Sequence, residues 1–296
     1  MLQGPMDVLE QEATSVRYAV RRSPPVTFTF GEMFQVLDVM LGRRTLPGNI
    51  RGLACHPRFR SIGRTTDFRD VDVVLVEPAS PVDLIFRGYN INRAGLHKRV
   101  KSRIEKLGSE EKKLADRWYR AGLANFDDEV RAEAAARLLA RLPPRMKHIE
   151  LIRAVVDETR SSKADVVDGL RRVRELVGRP VGVVVYVFQY LADGRAISWP
   201  QGFYKDVINA ARELDLPVFE PAQSVNRFGV EAALRPGLRH YTDEFTKVIA
   251  HELAEFAHGV AETAGAAQAD RRMAADSPLA APLRLQPLRR ILSALR

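Results

Sequence analysis

The stretch Gly237-Leu238-Arg239-His240-Tyr241-Thr242-Asp243-Glu244-Phe245 places a histidine directly before a strongly patterned helix. Thr242 or Asp243 is suited to cap the first turn of that helix. Apolar residues then recur at helical spacing, which predicts one buried helix face: Phe245, Val248, Ile249, Leu253 and Phe256. The sequence therefore predicts that a packed helix, ending near Phe256, holds His240 in a fixed position.

Several other stretches predict strands that alternate with helices. Residues 72–76 are almost continuously apolar, which is typical of a strand buried on both faces of a parallel sheet. Further strands are predicted at 26–30, within 42–70, at 181–188 and at 216–221. This order predicts an α/β fold with three layers: a doubly wound, flavodoxin-like sheet of about five parallel strands.

The same patterns divide the chain into parts. Residues 1–25 form an N-terminal lead-in, and 26–260 form the α/β domain. Residues 94–142, rich in mixed charges around sparse apolar stripes, predict a helical insertion in that domain. Residues 261–296 predict a basic, amphipathic tail.

A glycine marks the end of the first predicted strand. Gly31 follows the β-branched and aromatic residues of 26–30, and a helical stripe begins at Phe34. Strand, glycine turn and helix predict the opening of a βαβ unit. Glu32 and Met33 occupy the positions directly after the glycine.

The glycine turn and the His240 block together resemble motifs of the SGNH (GDSL-type) hydrolases. In that family the turn reads Gly-Asp-Ser, with the serine as nucleophile, and the last block reads Asp-x-x-His. The resemblance implies that His240 is the general base. Met33 stands at the nucleophile position and Gly237 at the acid position, and a thioether cannot give up a proton to a base.

A third motif of the family is also altered. Its central strand leads into Gly-x-Asn-Asp, whose Asn completes the oxyanion hole, a donor that contributes about 3 to 4 kcal/mol in other hydrolases. Here the strand at 72–76 leads into Glu77-Pro78-Ala79-Ser80-Pro81. Glu77 and Ser80 still follow the carboxyl end of a strand, where α/β folds bind ligands.

The resemblance and these positions give a set of candidate site residues. His240 is the candidate base, Asp243 or Asp193 its orienting acid, and Glu32 an assisting group. The candidate ligand-binding residues are Gly31, Met33, Glu77, Ser80, Asp193 and Trp199. Three of these have simpler interpretations: Met33 as a core or pocket-lining residue, Ser80 as a turn residue between prolines, and Trp199 as a loop residue packed on the core.

The composition limits the partners. Lys and Arg number 46 against 37 Asp and Glu, a formal charge of +9 spread along the chain of 296 residues. Such a surface favours anionic partners, but no nucleic-acid-binding motif accompanies the charge, so nucleic acid is not expected as a partner. A single cysteine, Cys55, and the absence of metal-ligand spacing predict no metal and no cofactor. Without a signal-peptide pattern or a long apolar run, a cytoplasmic location is predicted.

Two basic segments leave alternatives open. His97, Lys98, Arg99, Lys101 and Arg103 indicate a solvated helix face, with binding of an acidic partner as the alternative. Leucines and arginines in the tail, 283–296, are compatible with peripheral binding to an anionic membrane, with contact to a second subunit in a homodimer, or with docking onto the protein itself.

Three functional hypotheses follow. Relatives of the SGNH hydrolases with altered first motifs occur in capsule and exopolysaccharide biosynthesis, so the resemblance implies action on an acylated carbohydrate or surface polysaccharide, by ester hydrolysis or acyl transfer. The second hypothesis is a catalytically silent protein that keeps the ligand cleft, because members of a catalytic triad act as a unit. The third is an interaction protein that binds an anionic polymer through its arginines.

Overall fold

The chain folds into a mixed α/β structure that is mostly helical. The computed structural model describes residues 4–5, 8–9, 27, 29–54, 68, 71–120, 128–146, 149–153, 157–160, 163–185, 201–235 and 240–275. The strands are β1 Val74–Val76, β2 Val82–Phe86, β3 Tyr89–Asn90, β4 Asp157–Arg160, β5 Val181–Val184 and β6 Val218–Phe219. The helices are α1 Phe30–Met40, α2 Gly48–Arg51, α3 Arg93–Leu96, α4 Ser102–Ile104, α5 Ser109–Arg120, α6 Asp128–Leu139, α7 Glu150–Arg153, α8 Lys163–Val177, α9 Gln201–Glu213, α10 Pro221–Phe228, α11 Val230–Ala233 and α12 Asp243–Ala275, with a π-helix at His97–Lys101.

Three of the predicted strands form a parallel sheet in the order β1-β5-β6. Val74 is in register with Val181, and Val183 with Val218. The central strand β5 is buried at every position, as its run of apolar residues predicts. The strands predicted at 72–76, 181–188 and 216–221 are thereby confirmed over the part that β1, β5 and β6 cover.

Helices cover both faces of this sheet. On one face, Val181 and Val183 pack in a core with residues of α1, α8 and α9, such as Phe30, Leu170 and Val207. On the other face, α12 crosses the sheet so closely that a Cβ added at Gly182 would lie 2.8 Å from Cε1 of Phe256. The layers are therefore helix, sheet and helix.

The larger sheet of about five parallel strands is not confirmed. The described residues contain a second sheet of three strands, antiparallel, in the order β3-β2-β4. Its hairpin turns at Arg87 and Gly88, which both have positive φ, 51° and 75°. Burial alternates along β2, since Val82, Leu84 and Phe86 are buried and the two residues between them are partly exposed. This alternation and the glycine turn are a hairpin signal that our sequence analysis missed.

Two predicted elements differ from the structure. The strand expected at 26–30 is wrong at its described positions, because Thr29 caps α1 and Phe30 is the first residue of that helix. The last helix does not end near Phe256 but continues to Ala275, so the first part of the predicted tail is helical. Residues 276–296 lie outside the described part.

Short helices form a second core around the antiparallel sheet. In α5 and α6, residues such as Trp118 and Leu138 are buried, while Arg117 and Glu133 pair on the outer surface at 2.8 Å. The charged helices expected within 94–142 thus pack on one side only. None of the helices in the described residues is long and apolar enough to cross a membrane.

Candidate functional site

The first turn of α1 lies against the hairpin of the antiparallel sheet. Thr29 has an extended backbone, and its hydroxyl accepts the N–H of Glu32 at 3.1 Å, which makes it the N-cap of the helix. The same hydroxyl donates to Oδ1 of Asp83, a residue of β2. Thr29 is 1% exposed, so these contacts are made inside the protein.

Gly31 lets the hairpin approach this turn. A Cβ at this position would lie 2.5 Å from Oδ1 of Asp83 and 2.5 Å from Oδ1 of Asn90. The backbone N–H groups of Gly31 and Glu32 donate to the Asp83 carboxyl group. The SGNH resemblance assigns oxyanion binding to the backbone amide at the nucleophile position, Met33, and here that amide donates to the carbonyl of Thr29 at 3.0 Å.

Asp83 is the residue of this site that our sequence analysis missed. Burial raises the pKa of Asp83 above its ordinary value, and the hydrogen bonds from Thr29, Gly31 and Glu32 oppose that increase because they favour the carboxylate. A carboxyl group with a raised pKa at a polar cluster is a candidate for proton transfer or ligand binding. The polar position of Asp83 between the buried residues of β2 could have indicated it.

The raised pKa predicts a pH dependence of stability. A folded-state pKa above the unfolded value means that the folded protein binds the proton more tightly. Ionisation of Asp83 therefore destabilises the folded protein as the pH rises from the unfolded-state pKa to the folded-state pKa. We expect Asp83→Asn, which cannot ionise, to gain stability relative to the wild type as the pH rises from about 4, the ordinary pKa of an aspartate. Urea unfolding of both proteins across this range measures the difference. A difference that shrinks or stays constant with rising pH contradicts the prediction.

Glu32 and Met33 both lie inside the protein. Glu32 is 1% exposed, and its carboxylate accepts Nδ2–H of Asn92 at 2.8 Å. The carbonyl oxygen of the Asn92 side chain accepts the N–H of Gly95 at 3.1 Å and caps α3. Met33 packs in the core between α1 and the parallel sheet, with Leu37 and other residues. Its interpretation as a core residue fits this position.

Gln35 completes the contact between α1 and the hairpin. Its side-chain amide donates to the carbonyl of Asn90 at 2.8 Å and accepts the N–H of Asn90 at 2.9 Å. Asn90 is in β3, an edge strand, so the amide of Gln35 satisfies backbone groups that would otherwise lack a partner. The helix start and the hairpin are thus fixed to each other at several points.

Glu77 and Ser80 follow the carboxyl end of β1, as expected. Ser80 is 8% exposed, and its hydroxyl accepts the N–H of Val82 at 3.2 Å, which is the contact of a turn residue. Glu77 is partly buried and has interaction partners. The hydroxyl of Tyr204, near the start of α9, donates to the carbonyl of Ala79 at 3.4 Å. This contact places the loop after β1 beside the first turn of α9.

His240 lies on a separate part of the surface. It is exposed, and its carbonyl accepts the N–H of Arg235 at 2.8 Å beside the antiparallel bridge between Leu234 and Tyr241. The imidazole has no side-chain hydrogen bond to the described residues. The side chain of Asp243 is 89% exposed and forms an ion pair with Arg235. Asp243 therefore pairs with an arginine rather than with His240.

Thr242 fixes the start of α12 beside His240. Its hydroxyl accepts the N–H of Phe245 at 3.3 Å and donates to the carbonyl of Ala232 at 2.7 Å. Of the two cap residues that the sequence allowed, the structure uses Thr242. Phe245 is completely buried, and its ring lies 5.1 Å from that of Phe228. The predicted packing of this helix behind the histidine is confirmed.

Helix α12 runs from the turn that carries His240 to the parallel sheet. Phe256 contacts the ring of Phe219 at 5.5 Å, at the carboxyl end of β6. One turn earlier, Glu252 bonds to Arg227 of α10 at 2.6 Å, so α10 leads away from the sheet along α12. Nine residues separate Glu252 from Asp243, which is roughly 14 Å of helix. The cluster behind His240, which includes Tyr241 and Phe245, packs against Phe219 at the end of β6.

The structure does not describe all of the predicted site residues. Asp193, Trp199 and Gly237 lie outside the described residues. Among the described residues, no group of three or more His, Cys, Asp or Glu side chains could hold a metal ion. The roles proposed for His240, Asp243 and Glu32 stay predictions, and no hydrogen bond among the described residues joins one of these side chains to another.

The fold and these sites define a mixed α/β protein with polar groups at the carboxyl end of a small parallel sheet. The model of the TviD N-terminal domain family matches residues 2–256, and the chain belongs to that family. This membership links the chain to polysaccharide biosynthesis. Comparison with curated proteins and with solved structures gave no significant match. The resemblance to SGNH hydrolases stays a prediction.

Proposed function

We propose that this chain acts in polysaccharide biosynthesis on an acylated carbohydrate or surface polysaccharide, with His240 as the base in ester hydrolysis or acyl transfer. The family match supports the general assignment. The proposed role of His240 as the base rests on one observation. Its side chain is exposed, while the backbone around it is fixed by the Leu234–Tyr241 bridge and by the packed helix α12. A base must reach solvent and substrate from a defined position.

The proposed chemistry is proton transfer at the imidazole. His240 would take a proton from water or from an acceptor hydroxyl, which then attacks the ester carbonyl, and would return it to the departing oxygen. Since Arg235 engages Asp243, we propose Asp193 as the orienting acid. Carbohydrate contacts are proposed for Trp199, because an aromatic ring can stack on a sugar, and for Glu77 at the sheet edge.

A second candidate function is binding of the same ligand without turnover. The observation that favours it is the set of contacts around Gly31, where the backbone amides bind Asp83, Glu32 binds Asn92, and Met33 is buried in the core. All of these groups already have partners within the protein. A ligand site could persist after the chemistry is lost, because removing one member of a catalytic unit removes most of its benefit.

One experiment separates the two candidates. Acetate release from aryl esters and O-acetylated sugars is measured for the wild type, for His240→Ala and for His258→Ala, which removes another exposed histidine of the chain. We expect turnover to fall at least about 100-fold in His240→Ala, because general-base catalysis contributes that much, and to persist in His258→Ala.

The other outcomes decide between the candidates. If the wild type releases no acetate while O-acetylated sugars raise its melting temperature, the binding function is the correct one. If His240→Ala keeps full activity, His240 is not the base. If the sugars neither react nor shift the melting temperature, both candidates are wrong.

A further inference from the structure

The structure separates the basic cluster of residues 97–103 into groups with different surroundings. Lys101 is 7% exposed and is neutralised by Glu105 at 2.5 Å and Asp116 at 2.7 Å. Lys98 and Arg103 are exposed. Only Arg99, within this cluster, is partly buried and lacks an acidic partner among the described residues. The cluster is therefore not a uniform solvated face.

The guanidinium of Arg99 lies against the backbone at Gly52. A Cβ at Gly52 would lie 2.9 Å from Cζ of Arg99 and 3.1 Å from both Nε and Nη1. The Nε atom is buried and has no hydrogen-bond acceptor in the described structure. The absence of a side chain at Gly52 thus gives the guanidinium a flat surface on which to rest.

An unpaired guanidinium in such a position is unusual. Buried polar atoms almost always have a hydrogen-bond partner, and a partly buried charge destabilises the protein unless an opposite charge compensates it. The planar fork of arginine donors matches the two oxygens of a carboxylate or a phosphate. A bound oxyanion at the accessible part of the guanidinium would supply the negative charge that Arg99 lacks among the described residues.

The local backbone is also irregular at this point. Arg99 lies in the π-helical turn His97–Lys101, and such turns occur frequently at functional sites. The carbonyl of Leu53, next to Gly52, accepts the N–H of Asn92 at 2.8 Å, and the side chain of Asn92 bonds to Glu32. The backbone beside Gly52 is therefore joined by hydrogen bonds, through Asn92, to the polar cluster at the start of α1.

We propose that Arg99 and Gly52 form a binding site for an oxyanion, either the carboxylate of an acidic sugar or a phosphate of a nucleoside diphosphate. The guanidinium binds the oxyanion through paired N–H donors, and Gly52 sets its orientation. This site does not depend on His240 or on the acyl chemistry proposed above.

Three variants of the full chain test the proposal by isothermal titration calorimetry with inorganic phosphate, glucuronate and uridine diphosphate. Arg99→Gln removes the charge, and Gly52→Ala keeps the charge but displaces the guanidinium. Arg103→Gln is the matched control, because it removes an exposed arginine of the same segment. We expect a loss of about tenfold or more in affinity for the first two variants, as for a charge-assisted hydrogen bond, and less than about twofold for the control.

The pattern across probes identifies the ligand. Binding of glucuronate alone indicates an acidic sugar, and binding of phosphate and uridine diphosphate indicates a phosphate group. Equal losses in Arg99→Gln and Arg103→Gln would show diffuse electrostatic attraction and overturn the proposal, as would the absence of binding by the wild type.

A melting curve without ligand gives an independent result. Arg99→Gln should melt at the same temperature as the wild type or higher, because the variant removes an uncompensated charge. A clear decrease in melting temperature would show that the charge is compensated in the free protein, which is incompatible with the proposal.

Discussion

Lys101→Met is expected to destabilise the protein by about 2 to 3 kcal/mol, because removal of one partner from a buried ion pair leaves the others uncompensated. The side chain of Lys101 is 9% exposed and lies between Glu105 and Asp116. Burial opposes the charged form of Lys101, but the hydrogen bonds and charges of these two carboxylates outweigh it and raise the pKa of the lysine. Urea unfolding at pH 7 measures the loss.

Lys113→Met is the matched control for this prediction. Lys113 pairs with Glu110 at 2.9 Å, but its side chain is 75% exposed. Solvent screens such surface pairs, so we expect no measurable change in the unfolding midpoint. Equal midpoints for both variants would mean that Lys101 is solvated and that its ion pairs contribute little.

Gly31→Ala is expected to destabilise the protein by about 3 kcal/mol, because the new Cβ would displace the carboxyl group of Asp83 and the side chain of Asn90. Both oxygens would lie 2.5 Å from the added atom. The displacement would also weaken the hydrogen bonds from Thr29 and from the backbone amides of Gly31 and Glu32. Thermal and urea unfolding of the variant measure the loss.

Gly259→Ala is the control for the effect of alanine itself. Gly259 is an exposed residue of α12, and a Cβ at this position would meet nothing within 4 Å. Alanine favours a helix by up to about 1 kcal/mol over glycine, so we expect this variant to be more stable than the wild type. A stable Gly31→Ala protein would show that the hairpin can move away from the helix start.

The contacts of Gly31 bear directly on the comparison with SGNH hydrolases. In that family, the backbone amide of the nucleophile residue helps to bind an oxyanion; the corresponding amide here, that of Met33, donates to the carbonyl of Thr29 at 3.0 Å. Here the amides of Gly31 and Glu32 bind Asp83, which burial makes easier to protonate. The turn therefore presents a buried carboxyl group, that of Asp83, and a core thioether at Met33 that cannot act as a nucleophile.

The site illustrates why sequence patterns reveal single elements better than their contacts. The helix behind His240 and the central strand β5 depend on local periodicity, and both were predicted; Thr242 was one of the two caps that the sequence allowed. Asp83 acquires its importance from Thr29 and Gly31, which are more than fifty residues away in the chain. No local pattern contains that information.

Local rules also gave one wrong element. The residues 26–30 have the β-branched and aromatic composition of a strand, yet Thr29 accepts the N–H of Glu32 and starts a helix at Phe30. The burial of Phe30 in the core of the parallel sheet and the bond from Thr29 to Asp83 stabilise this alternative. Tertiary contacts therefore override the strand propensity at this position.

The sequence by itself determined the strands β1, β5 and β6 of the parallel sheet and the packed start of α12 behind His240, since apolar spacing and capping residues act locally. Only the tertiary structure decided that the described strands form two small sheets, that Asp83 of β2 contacts the start of α1, and that Arg99 lies against Gly52 with its Nε unpaired among the described residues. The physical reason is that burial, hydrogen-bond satisfaction and charge compensation depend on residues distant in the chain, which meet only after folding.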